Sequence, residues 1–513
     1  MARYNSKATT VTPTVTNHQG GTGYKYDPKT ELISILATGL DNKYYEKVGE
    51  REQRLAKVIE EVAKKDKLFA AKALVYARTV MGQRTVTHFG AVELAKVLGG
   101  DSLGSRFFSK RERKQNKGGI IFRLDDMLEI AACYQARNEG KPFSNAIKKG
   151  FKSALESADE YELAKYQAKN RDLSLVDIVN LVHPKPSPRM APVFAKLMKG
   201  ELKQFNTVED KNTKAGQEVA AKVKEGKITK EEAAVELAQA KEDNYAELIK
   251  TRKIGYLALL RNLRNILKTG ADKEIINGAC ELLTDQKLIK QSLVFPHQID
   301  LALEIMLDEF GSSKVKPFVK ALNTAYELAI PNLTELFPNG RTAVVFDSSG
   351  SMSTSISLAN KNNGSESAIS KAALIAATLA KGIEADVYHF ADRCDEIKFN
   401  SLDTVNTLKN QFLNKQGSVG YGTAFDSIMK KLDNKYDRVF VISDMQGRDY
   451  LERANYKNLH IYSIDIAGYG TTMFKPGNKV YSLFGYSADI YELIKKVEID
   501  PKALIAEIEA IEI

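Results

Sequence analysis

The sequence predicts a protein of mixed class, in which a long array of α-helices precedes a doubly wound α/β domain. Apolar residues recur at steps of three and four over most of residues 29–338, as on the buried face of a helix. Short apolar runs then alternate with helical segments toward the C-terminus, which is typical of a parallel sheet. The chain has 513 residues, more than one compact core usually contains, so we expect at least two domains.

The helical part is predicted from amphipathic segments separated by short glycine-rich turns, such as Gly99-Gly100. Many short antiparallel helix pairs favour an α-solenoid of the HEAT or armadillo kind, although no fixed repeat period is visible. Residues 200–248 are rich in Lys, Glu and Ala, and we interpret them as a solvated helical insertion that contributes little core. Helices are expected at 54–59, 67–75, 86–98, 124–137, 142–157, 188–200, 251–268, 271–283, 295–309 and 314–330.

The sheet domain is predicted to begin near Pro338-Asn339-Gly340, where the apolar pattern changes. Helical segments separate the apolar runs that follow, so the strands are expected to lie parallel in one sheet. The strands are expected at 341–346, 385–390, 438–443 and 459–464. The resulting division of the chain is a flexible tail at 1–17, a helical domain at 18–338, a sheet domain at 339–496 and a C-terminal helix within 497–513.

Composition excludes several classes of protein and gives a first indication of a partner. The hydrophobic content of 43% and charged content of 27% are those of a soluble globular protein, and no run approaches the roughly 20 apolar residues of a membrane helix. The three cysteines are far apart, which favours reduced thiols and a cytoplasmic location over a disulfide framework. The net charge of +10 favours a polyanionic partner such as nucleic acid.

A carboxylate and two hydroxyls occupy alternate positions directly after the first predicted strand. Asp347, Ser349 and Ser351 form the pattern D-x-S-x-S on a loop that leads into a helix. Oxygen ligands at this spacing can converge on one hard cation, and Mg²⁺ prefers such ligands. Thr423 and Asp444 are candidates for two further ligands, because both would lie at the carboxyl ends of parallel strands, where α/β sheets bind ligands. The sequence therefore predicts one Mg²⁺ or Mn²⁺ site.

Other interpretations of this motif fit less well. An aspartyl phosphatase needs a second Asp two residues after the nucleophile, and here that residue is Ser349. The sequence contains no phosphate-binding G-x-x-x-x-G-K-[ST] motif and no G-x-S-x-G elbow. The remaining alternative is that the Ser- and Gly-rich loop only caps the next helix. We therefore expect a protein that is not an enzyme.

In type and in chain order, the five candidate ligands resemble the metal-ion-dependent adhesion site of von Willebrand factor A domains. Residues 339–496 carry this resemblance. It implies that Asp347, Ser349, Ser351, Thr423 and Asp444 hold Mg²⁺ or another divalent cation. It also implies that one coordination position stays open to water or to a carboxylate of a protein partner.

Such a domain behind a long helical array prompts a comparison with TROVE-module proteins, the Ro autoantigen family with its bacterial and phage relatives. Four stretches resemble that family and occur in its order. They are Asn17-His18-Gln19-Gly20-Gly21, Leu181-Val182-His183-Pro184-Lys185-Pro186, Leu257-Ala258-Leu259-Leu260-Arg261-Asn262-Leu263 and Phe295-Pro296-His297-Gln298-Ile299. The resemblance implies a monomeric ring of HEAT-like helices bridged by the von Willebrand factor A domain. It implies a scaffold for small non-coding Y-like RNA, or for structured or misfolded RNA, whose single-stranded end enters the central hole.

The candidate RNA-binding residues fall into three groups. The densest basic cluster surrounds Phe107 and Phe108, whose rings are candidates for stacking on unpaired bases. A second group precedes or contains the family's His-Pro-Lys-Pro stretch, and the resemblance implies that it contacts Y-like RNA. Arg261 is a candidate for the inner wall of the ring, with helix packing as the alternative. The residues are Arg106, Lys110, Arg111, Arg113, Lys114 and Lys117 in the first group, Lys165, Lys169 and His183 in the second, and Arg261 in the third.

A second functional hypothesis belongs to a different class. In it the chain is a protein-interaction module or a phage virion protein, its metal site binds a carboxylate, and RNA plays no part. The charge of +10 and the basic cluster at 106–117 favour the RNA hypothesis over this one.

Overall fold

The structure, a computed structural model, describes most of the chain in two compact units. The sheet unit comprises the described residues of 14–90, 340–353 and 367–510, and the helical unit comprises those of 91–329 with 511–513. The described residues are 14–41, 43–99, 102–112, 115–138, 141–167, 173–202, 208–292, 294, 296–329, 340–353, 367–432, 434–452, 456–477, 479–486 and 489–513.

A six-stranded sheet forms the centre of the sheet unit, with strand order β11-β9-β8-β5-β6-β7. All pairings are parallel except that of the edge strand β7 with β6. All six residues of β5 are buried, as expected for a strand covered on both faces. The strands are β5 (Thr342–Asp347), β6 (Asp386–Phe390), β7 (Cys394–Ile397), β8 (Arg438–Ser443), β9 (His460–Asp465) and β11 (Val480–Phe484).

The remaining elements of the sheet unit come from both ends of the chain. A small three-stranded sheet pairs β1 with β2 and β2 with β10, so the N-terminal segment joins a late loop. Asp27 caps α1 by accepting from the backbone N–H groups of Lys29 and Thr30, and Pro28 fits the first helical turn. These elements are β1 (Thr14–Thr16), β2 (Thr22–Lys25), α1 (Pro28–Thr38), α2 (Val48–Lys65), α3 (Lys67–Thr79), a 3₁₀ turn (Gly350–Ser353), α17 (Ala368–Ile383), α18 (Val405–Leu413), α19 (Phe425–Leu432), β10 (Thr471–Thr472), α20 (Asp489–Val497) and α21 (Ala503–Glu509).

The helical unit is an array of helices with one two-stranded hairpin, and α4 (Thr85–Leu98) leads into it. The longest helix breaks at Gly311, whose φ of 69° is outside the helical region. The elements are α5 (Ser102–Phe107), β3 (Arg111–Glu112), β4 (Lys117–Gly118), α6 (Leu124–Arg137), α7 (Asn145–Glu156), α8 (Glu160–Tyr166), α9 (Leu175–Val182), α10 (Ala191–Lys199), α11 (Val208–Lys224), α12 (Lys230–Lys250), α13 (Tyr256–Lys268), α14 (Lys273–Leu283), α15 (Gln286–Ser292) and α16 (Pro296–Ala329).

The predicted fold class is confirmed, because helices fill the first part of the chain and the four predicted strands form the centre of a largely parallel sheet. Three details differ from the prediction. Residues 14–16 of the predicted tail form β1, and residues 394–397 form an antiparallel strand where a helix was expected. Packing also joins residues 14–90 to the sheet unit, whereas the predicted helical module began at residue 18. Within the described residues, no helix is long and apolar enough to span a membrane.

The charged segment at 200–248 contributes more to the core than its composition predicts. Its helices α11 and α12 pack against each other, and Thr229 and Glu232 form a capping box at the start of α12. Near the end of α12, Tyr245 is 1% exposed and donates a hydrogen bond of 2.9 Å to the side-chain oxygen of Asn262. The solvated interpretation therefore holds for much of the helix pair but is wrong for its C-terminal end.

Candidate functional site

The five candidate metal ligands all belong to the sheet unit and follow from its topology. In the sheet, β6 lies on one side of β5. The later strands β8, β9 and β11 follow one another on the other side of β5. Such a reversal leaves a crevice at the carboxyl ends of the two central strands. Asp347 is the last residue of β5, and Asp444 directly follows β8. The sheet therefore brings both carboxylates to one crevice.

Backbone and serine hydrogen bonds hold the Asp347 carboxylate in place. Its Oδ1 accepts from the Ser349 backbone N–H at 2.8 Å, and its Oδ2 accepts from the Ser443 hydroxyl at 2.6 Å. The hydroxyls of Ser349 and Ser351 lie 3.2 Å apart. The D-x-S-x-S spacing thus places three oxygen-bearing side chains around one point. Ser443 was not among the predicted residues, although it ends a strand beside the motif.

Two buried oxygens of this group have no hydrogen-bond partner within the described part of the chain. They are Oγ1 of Thr423 and Oδ2 of Asp444, on residues that are 1% and 2% exposed. An unpaired buried oxygen is costly, and a hard cation would satisfy both atoms. The five side chains supply two carboxylates and three hydroxyls, which fits a magnesium or manganese ion. Among the described residues, no group of three or more His, Cys, Asp or Glu could form a different metal site.

Burial also controls the ionisation of the two carboxyl groups. It raises the pKa of Asp347 from its ordinary value to about 6. Burial first, and then the neighbouring charge of Asp347, raise the pKa of Asp444 well above its ordinary value. A third buried carboxylate, Asp465, ends the next strand, and burial raises its pKa to about 6. A bound divalent cation would offset the repulsion within this group.

The N-terminal Asn-His-Gln-Gly-Gly stretch packs on the loop that follows Asp444. Asn17 donates from Nδ2 to the carbonyl of Gly447 at 2.7 Å, and the His18 backbone N–H donates to the Gln446 side chain at 3.0 Å. The Gln446 backbone N–H in turn donates to Asp444 Oδ1 at 3.0 Å. This stretch therefore supports the loop that carries the candidate ligand Asp444, a role that sequence reasoning did not assign to it.

The predicted basic cluster at 106–117 is partly structural. Phe107 and Phe108 are both 0% exposed, so the prediction that they stack on bases is wrong, because their rings fill the core. Arg111 is 2% exposed, and its guanidinium donates to the carbonyls of Gly118 at 2.6 Å and Glu512 at 3.1 Å. The prediction that Arg111 binds phosphate is therefore wrong, because its guanidinium is buried and already donates to protein carbonyls. Lys110 pairs with Glu162, which reduces its availability for a phosphate.

Replacing Arg111 by Ala is expected to destabilise the protein by about 3 kcal/mol, because its buried side chain would be lost and several part-buried carbonyl and amide oxygens would lose their donor. Besides the two carbonyls above, Asn116 accepts three hydrogen bonds from the same guanidinium, two at its side-chain oxygen and one at its backbone carbonyl. Chemical denaturation monitored by circular dichroism would measure the change. Arg106→Ala is the matched control, because Arg106 is exposed and should change the free energy of unfolding by less than about 0.5 kcal/mol. Equal effects of the two substitutions would contradict the structural role of Arg111.

The other predicted basic residues divide into exposed residues and residues that the structure does not describe. Arg113, Lys114 and Lys169 lie outside the described residues. Lys117 is exposed and lies 3.5 Å from Glu512. Lys165 is exposed on α8, with its ammonium 5.6 Å from the ring centroids of both Tyr161 and Tyr166. The exposed residues are Arg106, Lys117, Lys165, His183 and Arg261.

The structure adds four exposed cations near His183 that sequence reasoning did not select. His183 ends α9 in the left-handed conformation, with φ of 47°, and proline-rich chain leads from it to α10. Helices α8 and α10 pack together, which joins Lys165 to the same region. We call this set the basic patch. It consists of Lys165, His183, Lys185, Arg189, Lys196 and Lys199, all of which are exposed. In the sequence, the recurrence of cations from the His-Pro-Lys-Pro stretch onward could have indicated this patch.

Comparison with known proteins bears on the domain content and on the fold. Residues 229–329 match the sequence model of the TROVE domain. The crystal structure of the Deinococcus radiodurans Ro (RSR) protein aligns with 92% of this chain and 100% of its own, at 17% sequence identity and a TM-score of 0.50. No curated protein sequence matches significantly. Residues 229–329 are therefore similar to the TROVE domain, and the chain as a whole shares the fold of the Deinococcus radiodurans Ro protein.

Proposed function

We propose that this protein is an RNA-binding scaffold whose helical unit binds the RNA and whose sheet unit holds a divalent cation. The observation that carries the proposal is the basic patch, six exposed titratable or cationic side chains on neighbouring elements of the helical unit. Such a set neutralises phosphates and releases counterions from a nucleic acid. The similarity to a Ro protein and the TROVE match support RNA over DNA as the polyanion.

The finer proposal concerns the form of the RNA. We propose a small non-coding or misfolded RNA with a structured part and a single-stranded end, as the resemblance to the Ro family implies. Exposed lysines and arginines neutralise the phosphates of the structured part, and the single-stranded end enters the central hole that the resemblance implies. No chemical step is proposed for the RNA.

A salt titration with two matched RNAs tests this function. A short RNA hairpin with a single-stranded 3′ tail is expected to bind more tightly than the blunt hairpin, because the central hole implied by the resemblance would admit a single strand and exclude a duplex. The affinity for both RNAs should fall steeply with salt. In a plot of the logarithm of the binding constant against the logarithm of the salt concentration, each duplex phosphate contact should contribute about −0.9 to the slope. Fluorescence anisotropy over a range of KCl concentrations measures both effects. Equal affinities for tailed and blunt RNA would contradict the threading of a single strand, and a flat salt response would contradict RNA binding on the basic patch.

For the sheet unit we propose a single Mg²⁺ or Mn²⁺, held by Asp347, Ser349, Ser351, Thr423 and Asp444. The buried oxygens without partners are the support for this assignment. The ion would supply an electrophilic position for an oxygen ligand, while the protein contributes the orienting hydrogen bonds from Ser443 and the Ser349 backbone.

The affinity for Mg²⁺ is expected to rise steeply between about pH 5 and pH 7. Because burial raises the pKa of Asp347 to about 6, protons compete with the metal below that pH, by up to about tenfold per pH unit for each proton displaced. The metal-free protein should show the opposite trend. Burial favours the protonated form of the Asp347 carboxyl, so this group stabilises the folded protein at low pH. The stabilisation is complete below pH 3.8, the ordinary pKa of an Asp, and is lost as the pH rises through the folded-state pKa of about 6.

Isothermal titration calorimetry across this pH range, repeated in buffers of different ionisation enthalpy, would measure both the affinity and the released protons. Thermal unfolding in EDTA at each pH gives the trend of the metal-free protein. An affinity that is independent of pH, with no proton release, would contradict the assignment of buried carboxyl ligands.

A further inference from the structure

A buried histidine, His389, lies on the strand next to the D-x-S-x-S motif. It is opposite Phe346 in the pairing of β6 with β5, and Phe346 directly precedes the candidate ligand Asp347. The imidazole is 2% exposed and stacks on the Phe346 ring, with ring centroids 5.9 Å apart. Sequence reasoning assigned no role to this residue.

The two ring nitrogens of His389 contact serine hydroxyls on two different loops. Nδ1 lies 3.2 Å from Oγ of Ser348, which belongs to the D-x-S-x-S motif. Nε2 lies 3.4 Å from Oγ of Ser418, on the loop that leads to Thr423. One buried ring therefore bridges the motif that carries three candidate ligands and the loop that carries a fourth.

The directions of these hydrogen bonds follow from the other contact of Ser348. Its hydroxyl donates its only proton to the Phe390 carbonyl at 3.1 Å, because a carbonyl can only accept. Nδ1 of His389 must therefore carry a proton and donate it to Ser348. Burial lowers the pKa of His389 to about 4, so the ring is neutral near pH 7. In a neutral imidazole with a protonated Nδ1, Nε2 accepts, so the Ser418 hydroxyl donates to it.

Two other hydrogen bonds join the same loops at more accessible positions. The Gly350 backbone N–H donates to the carbonyl of Tyr421 at 2.9 Å, and the Gln416 side chain donates to the Ser353 hydroxyl. Tyr421, Gln416 and Ser353 are exposed, so water competes for these contacts. The His389 ring is almost fully buried, where a hydrogen bond is stronger and a rotamer is held by packing.

We propose that His389 is a positioning residue of the metal centre, which fixes the separation of Thr423 from the D-x-S-x-S motif and thereby favours Mg²⁺ over Ca²⁺. The proposal rests on the metal site proposed above. Mg²⁺ requires nearly octahedral ligands at about 2.1 Å, whereas Ca²⁺ accepts a looser set at about 2.3–2.6 Å. A bridge that holds the two loops at one separation therefore matters more for Mg²⁺ than for Ca²⁺.

The test compares Mg²⁺ and Ca²⁺ affinities of the full-length protein by calorimetry, with wild type and His389→Phe. Phenylalanine keeps a ring against Phe346 but removes both hydrogen bonds. The Mg²⁺ affinity of this variant should fall by about tenfold or more, as for other residues that orient metal ligands, and its Ca²⁺ affinity by less than about threefold. The ratio of the two affinities is the readout, because a general loss of packing would weaken both ions alike.

A second variant, Ser418→Ala, cuts the same bridge from its exposed end. Ser418 is exposed, so its replacement should leave the fold intact while the ratio of Mg²⁺ to Ca²⁺ affinity falls in the same direction. The matched control is Tyr388→Phe. It removes a buried hydrogen bond of 2.9 Å to Tyr436 from the neighbouring position of β6, whose side chain points to the other face of the sheet. This control should bind both ions as wild type does.

Several results would overturn the proposal. An unchanged affinity ratio in His389→Phe would remove the role of the ring, and an equal loss for both ions would leave it a structural role only. A lower ratio in His389→Phe with an unchanged ratio in Ser418→Ala would show that the bridge between the loops is not the cause. A lower ratio in Tyr388→Phe would make the effect unspecific. Failure of wild type to bind Mg²⁺ would instead refute the metal site itself, and the role of His389 with it.

Discussion

Replacing Asp347 by Asn is expected to weaken Mg²⁺ binding by more than about a hundredfold while leaving the fold intact. Loss of a residue that merely supports a metal ligand costs about 10- to 100-fold in affinity, and the loss of a charged ligand should cost more. The fold should survive because the strand is held by its neighbours on both sides of the sheet. Calorimetry of Mg²⁺ binding and circular dichroism of both proteins would measure the two effects.

The same substitution should not lower the stability of the metal-free protein. Asp347 and Asp444 are buried carboxyl groups that raise each other's free energy when both are ionised, so removing one charge relieves repulsion. In EDTA, Asp347→Asn is therefore expected to unfold at the same temperature as wild type or higher. In saturating Mg²⁺ only wild type should gain stability, because only wild type binds the ligand.

Asp395→Asn is the matched control for this experiment. Asp395 lies on the edge strand β7, its side chain is 50% exposed, and it is not part of the crevice. This variant should bind Mg²⁺ as wild type does. Unchanged Mg²⁺ affinity in Asp347→Asn, or an equal loss in Asp395→Asn, would refute the assignment of Asp347 as a ligand.

The meeting of Asp347 and Asp444 at one edge of the sheet could be predicted from sequence because it depends on regular structure. The apolar run before Asp347 and the one before Asp444 both form central strands, and the carboxyl ends of parallel strands meet at one edge. The spacing D-x-S-x-S then places the hydroxyls. Ser443 could not be predicted in the same way, because in the sequence it is one more residue of an apolar strand.

The exposure of the basic residues could not be predicted from the sequence, which gives their charge but not their burial. Arg111 stands among cations that look solvated, yet the β3–β4 hairpin buries it. The strand β4 depends on local backbone geometry, since Gly118 has φ of 112°. Conversely, Arg189 was not among the predicted RNA-binding residues, although its side chain is exposed. A burial pattern that depends on contacts between distant segments is not encoded in local composition.

Replacing Lys165, Lys185 and Arg189 together by Ala is expected to weaken RNA binding by on the order of a hundredfold at about 0.1 M salt. Each lost phosphate contact should flatten the salt slope by about 0.9 for duplex RNA or about 0.7 for a single strand. All three side chains are exposed, so the fold should tolerate their removal. Fluorescence anisotropy with the tailed hairpin at several KCl concentrations gives both affinity and slope.

The control removes the same amount of charge from a different unit. Lys64, Lys65 and Lys398 are exposed residues of the sheet unit, and each pairs with a nearby glutamate. Their replacement by Ala also lowers the net charge by three, so any effect of overall charge on RNA binding appears equally in both variants. The difference between the two variants then isolates local contacts on the basic patch.

Comparison with Asp347→Asn separates the two proposed functions. If RNA binds only the helical unit, the metal variant keeps the affinity and salt slope of wild type, and the patch variant keeps its Mg²⁺ affinity. Loss of RNA binding in Asp347→Asn with no loss in the patch variant would move the RNA site to the sheet unit. Phosphates could reach the buried carboxylates there only if the cation neutralised them first, so that result would also have to show RNA binding that depends on Mg²⁺. A patch variant that binds RNA as tightly as the charge-matched control would refute the basic patch outright, since its exposed cations are the physical basis of the proposal.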